Sequence, residues 1–134
     1  MFAEKVILDL VNPINASVVL FLEVLVVIIE AIIIYFLLEK GWGKAFISSI
    51  TANFITGILS LFYLLFSIDT STSLYMKAIL VIVIPLIINI VIEAGILRFF
   101  FSKVDKRQIL KTSVVMNIAS YGLMVINIMP LLMS

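Results

Sequence analysis

Four long apolar runs divide the chain: Pro13–Leu38, Ala45–Ile68, Ala78–Phe101 and Ser113–Met133. Polar residues gather in the short stretches between them and at a few isolated positions inside them. None of the runs alternates apolar and polar residues with the period of two that a barrel strand needs. A helix of about 20 apolar residues crosses roughly 30 Å of hydrocarbon. It also satisfies its own backbone hydrogen bonds, as a segment in lipid must. The pattern predicts an all-α integral membrane protein in one domain, residues 1–134, with transmembrane helices at 13–38, 45–68, 78–101 and 107–133. The lipid bilayer is the first partner this implies.

Composition agrees and narrows the chemistry. The chain is 64% hydrophobic and 13% charged, whereas soluble domains average about 45–50% apolar and about 25% charged residues. It has neither cysteine nor histidine. Thiol chemistry, disulfides and Cys- or His-based metal sites are therefore excluded, along with the commonest general base. No phosphate-binding glycine loop, acidic metal cluster or nucleophile–base pair is present. No cofactor, metal or catalytic residue is expected, and an intramembrane enzyme using paired carboxylates ranks last among the functions considered.

The charges orient the chain. Lys40 and Lys44 lie between the first two runs, and Arg98, Lys103, Lys106, Arg107 and Lys111 lie around the last turn. These are seven of the nine basic residues; the other side has Lys5 and Lys77. By the positive-inside rule, turns 39–44 and 102–111 face the cytoplasm, and both termini and the Asp69–Tyr75 loop face outward. Basic residues beside one tight turn suit topology and anionic headgroups, and give no support for nucleic-acid binding. Met1–Val11, with spaced apolar residues, reads as a short interfacial helix on the outer surface. Asn12-Pro13 then turns the chain into the first span, and Gly41-Trp42-Gly43 forms the first cytoplasmic turn.

The isolated polar positions recur. Glu30-Ala31 is followed 23 positions on by Asn53, and Glu93-Ala94 is followed 24 positions on by Asn117. Ser49 and Ser113 each precede their asparagine by four, while Thr56 and Ser120 each follow it by three. The chain therefore reads as one helical hairpin used twice, at about 13–68 and 77–133. Two spans per copy imply a parallel 2+2 repeat with a pseudo-twofold axis along the membrane normal.

Both glutamates precede a basic residue by ten positions, Lys40 and Lys103. At about 1.5 Å per residue they lie roughly 15 Å from the cytoplasmic boundary, near mid-bilayer. Glu30, Glu93, Asn53 and Asn117 are thus expected to share one central polar layer. Glu23 and Asn89 lie on the faces of Glu30 and Glu93 at helical spacing. Ser49, Asn53, Thr56, Gly57 and Ser60 form a stripe on the second helix, and Ser113, Asn117, Ser120 and Met124 form one on the fourth. Stripes of this kind let membrane helices approach closely. Arg98 is expected to snorkel to the cytoplasmic surface.

A charged residue in hydrocarbon is costly and is retained mainly where it functions or binds. Burial and a neighbouring like charge both disfavour a carboxylate, so a pair held this way can trade a proton for a cation. The leading expectation is a proton- or cation-coupled transporter or channel-like protein, and four helices favour a homodimer for it. The alternative is a non-catalytic accessory subunit of a larger membrane complex, in which the polar layer only fixes helix pairing. In that case a protonated glutamate could simply donate to an asparagine oxygen.

Overall fold

The computed structural model describes residues 13–38, 41–67 and 83–133, and within them the chain is helical apart from two short turns. Helix α1 is Pro13–Leu37, α2 Trp42–Ser67, α3 Ile84–Phe100 and α4 Lys106–Met133. No strand occurs among the described residues. The proposed interfacial segment Met1–Val11, the 69–75 connection and positions 78–82 of the third apolar run lie outside them.

Local chemistry sets the helix ends. Pro13 opens α1 and Pro85 lies in the first turn of α3, positions where a missing N–H does no harm. Asp105 caps α4: its Oδ2 accepts the Arg107 N–H at 3.0 Å and its carbonyl accepts the Ile109 N–H at 3.1 Å. The first turn is tighter than the glycines suggested, because Trp42 and Gly43 already belong to α2. The indole ring stacks on Tyr35 at 4.2 Å and also meets Phe46. Aromatic packing across the turn therefore draws Trp42 into the helix. Arg98 takes a specific partner, donating from Nη1 to the Val104 carbonyl at 2.6 Å and bracing the α3–α4 turn.

The helices form a ring. Each packs on its two neighbours, α1 on α2 and α4, and α3 on α2 and α4, while the diagonal pairs do not meet. Both turns lie at the same end of the bundle. There Gln108 Nε2 donates to the Leu37 carbonyl at 2.8 Å, and the Lys44 ammonium sits 4.9 Å from the centre of the Phe101 ring. A core of Ala31, Ile34, Ala45, Leu97, Phe101, Ile109 and Met116 fills that end. Fully buried Ala31, Ala45 and Ala52 let the backbones come close.

Polarity is distributed inside-out relative to a soluble bundle. Glu30, Ser48, Ser49, Thr56, Glu93, Thr112, Ser113, Asn117 and Ser120 are buried. Phe21, Phe36, Phe54, Phe99, Ile118 and Ile126 are largely exposed. Leu20–Leu37 is the one stretch among the described residues that is both long and apolar enough to cross a membrane. The described part of α3 has 17 residues. Helix α2 bears the hydroxyl and amide stripe, and α4 adds Lys106, Arg107 and Lys111 in its first turns.

Candidate functional site

Glu30 and Glu93 stand on α1 and α3, the diagonally opposed helices, and both point inward, at 1% and 2% exposure. Each receives an asparagine from the following helix: Asn53 Nδ2 donates to Glu30 Oε2, and Asn117 Nδ2 to Glu93 Oε2. The same nitrogens donate to the carbonyls of Ser49 and Ser113, both at 3.0 Å. This second bond settles the orientation of each amide. Turned over, the amide would set its oxygen against a backbone carbonyl, which can only accept. In this arrangement the glutamates meet amide hydrogens.

The serines preceding the asparagines share one bond across the helix contact. Ser49 Oγ lies 3.1 Å from the Val27 carbonyl and Ser113 Oγ 2.8 Å from the Ile90 carbonyl, in each case three residues before the glutamate. Small hydroxyls at the helix contacts thus join α1 to α2 and α3 to α4.

The two halves differ at two positions. Ser49 Oγ also lies 3.1 Å from Glu30 Oε2, whereas Ser113 bonds the Ile90 carbonyl. Ser120 Oγ on α4 reaches across to Glu30 Oε1 at 2.7 Å. Its counterpart Thr56 on α2 bonds only within its own helix, to the carbonyls of Ala52 and Asn53. Glu30 consequently has three side-chain partners, Ser49, Asn53 and Ser120, and Glu93 has one, Asn117.

The supporting residues divide. Ser49 and Ser120 bond Glu30, whereas Ser113 bonds the Ile90 carbonyl and Thr56 is buried with its bonds inside α2. Asn89 turns to α4 and donates to the Tyr121 hydroxyl at 3.3 Å. Glu23 is half-buried two helical turns before Glu30 on α1. Gly57, expected in the α2 stripe, faces outward, and a side chain added there would meet nothing within 4 Å. Size as well as polarity selects the packed face, so Ala45 and Ala52 take the centre of the α2 contact. The Met124 side chain lies outside what is described. Tyr121 was not singled out from the sequence, and no spacing signal there distinguished it from other aromatic residues at membrane depth.

No metal-binding group of three or more Asp or Glu side chains occurs among the described residues. No protein-family model, curated protein or solved structure matches this chain.

Proposed function

We propose that this chain is a small multi-pass membrane protein of two repeated helical hairpins, related by a pseudo-twofold axis along the membrane normal. In this reading its central Glu/Asn layer exchanges a proton or small cation across the bilayer, acting as a transporter or channel-like protein. Both basic turns face the cytoplasm and both termini face out. A homodimer would supply the helices that a pathway needs.

One observation carries the reading. Two carboxyl groups from opposed helices are removed from solvent into a single layer, each clamped by an asparagine, within a bundle whose exterior is apolar. Carboxyl groups so placed in membrane helices mark ion pathways and proton relays, and transporters built from repeats place their sites near the midplane. The outward Phe, Ile and Val side chains suit acyl chains and would be a liability in water.

Flux measured in proteoliposomes tests the proposal. Glu30→Gln and Glu93→Gln are expected to lose most of the proton or cation flux of the parent, and undiminished flux in both variants would refute the exchange role.

The completeness of the hydrogen bonding favours a second reading, an accessory subunit of a larger membrane complex. No fully buried polar side-chain atom among the described residues lacks a partner, as a layer used only for packing would require. Native mass measurement after gentle extraction separates the two readings: a lone monomer or homodimer argues against the accessory role.

A further inference from the structure

We infer that the ion handled by this layer is a proton, not a metal cation, and that Glu30 is the carboxyl group that takes it up, with Ser120 and Ser49 as its switching partners. This rests on the exchange reading above and narrows it to one ion and one residue.

The first argument concerns which atoms face the carboxyl groups. A metal cation needs several oxygen lone pairs around it. Here the asparagines present amide hydrogens, and their second bonds to the Ser49 and Ser113 carbonyls hold them that way. A cation beside either glutamate would face positive amide edges, and both clamps would have to be undone to admit it.

The second argument concerns the hydroxyls. Ser120 Oγ lies 2.7 Å from Glu30 Oε1 and 2.9 Å from the Met116 carbonyl. Ser49 Oγ lies 3.1 Å from Glu30 Oε2 and 3.1 Å from the Val27 carbonyl. Each hydroxyl has one hydrogen and two acceptors in reach. With Glu30 ionised, Ser120 donates to Oε1. When a proton adds to Oε1, the Ser120 O–H turns to the Met116 carbonyl, and the new acid O–H donates to Ser120 Oγ. The reverse rotation releases the proton. No heavy atom moves, and both charge states keep their hydrogen bonds.

Glu93 lacks this device. Ser113 is engaged with the Ile90 carbonyl, and Thr56 bonds within α2. The titratable groups near Glu30 are Glu23 on its own helix and Glu93 on α3. The groups that α2 and α4 present to it are Ser49, Asn53 and Ser120, none of which titrates.

Infrared difference spectroscopy on proteoliposomes through a pH change tests this, because a carboxylic acid and a carboxylate absorb separately. The expected result is an acid carbonyl band that titrates with pH, disappears in Glu30→Gln, persists in Glu93→Gln and shifts in Ser120→Ala. Excess sodium, potassium or calcium at fixed pH should leave it unchanged. A band that survives Glu30→Gln, ignores Ser120→Ala or is displaced by one of those cations overturns the inference. Should Glu30→Gln fail to fold, the Ser120→Ala shift and the cation titration of the parent still decide. Parallel flux assays separate the two levels of failure. A sodium or potassium flux lost in Glu30→Gln overturns the proton assignment alone. A normal titrating band with undiminished flux in both glutamine variants overturns the exchange function, and the role of the proton with it.

Discussion

Ser120 on α4 donates to Glu30 on α1 at 2.7 Å, joining residues 90 positions apart. Among the described residues it is the one side-chain bond through which a polar residue of the second hairpin holds an acid of the first. Asn117, one helical turn earlier on α4, holds Glu93 on α3, so one face of α4 serves both carboxyl groups.

The bridge should be measurable against its counterpart. Hydrogen bonds between membrane helices average about 0.6 kcal/mol and reach about 1.7 kcal/mol. Ser120→Ala is expected to cost stability within that range in reversible unfolding from mixed micelles. Thr56→Ala, which removes only bonds within a helix, should cost less. A larger loss in Thr56→Ala would contradict the asymmetry.

The two asparagines should also differ. Asn117 is the single side-chain donor to Glu93, and truncating it leaves a buried carboxyl group without a partner, a cost of about 1–3 kcal/mol. Glu30 keeps Ser49 and Ser120 when Asn53 is lost. Asn117→Ala is therefore expected to destabilise more than Asn53→Ala in the same unfolding assay. Equal losses would mean that Ser49 and Ser120 do not compensate.

Packing makes an opposite pair. Ala31 is fully buried between helices, and Ala31→Leu should overpack the contact at a cost of about 1–3 kcal/mol. A side chain added at Gly57, Gly95 or Gly122 would meet nothing within 4 Å. Alanine at each should be neutral or stabilising by up to about 1 kcal/mol through helix propensity. A marked loss on Gly57→Ala would place a partner against that face.

Orientation can be read directly, since the chain has no cysteine of its own. Gly43 and Ser102 are exposed near the two basic turns. Gly43→Cys and Ser102→Cys should react with a membrane-impermeant maleimide from the cytoplasmic side, and Thr70→Cys from the opposite side. Modification of Gly43→Cys and Ser102→Cys from opposite sides would refute the parallel relation of the two hairpins.

The helical class was legible because four long apolar runs without period-two alternation leave little else for the backbone to do. The pairing of each glutamate with an asparagine was legible as well. Two polar residues at equal depth on consecutive antiparallel helices have few other partners. What α2 turns inward was harder to read. The stripe of Ser49, Asn53, Thr56, Gly57 and Ser60 put Ser49 and Thr56 on the buried face and Asn53 against Glu30, but Gly57 is exposed, and the buried face also takes Ala45, Ser48 and Ala52, which that stripe did not include. Close approach depends on side-chain size, and alanine is indistinguishable from other apolar residues when polarity alone is counted.

The amino-acid sequence by itself determined four helices, their polar positions and the recurrence of Glu, Ser and Asn at matched spacings, because these follow from local periodicity and the cost of burying polar groups. Only the tertiary structure decided that Ser120 reaches Glu30 while Thr56 turns back on its own helix, and that both amides present hydrogens to the acids. Such choices depend on distances of a few tenths of an ångström between helices distant in the chain, and no spacing along one strand of sequence encodes them.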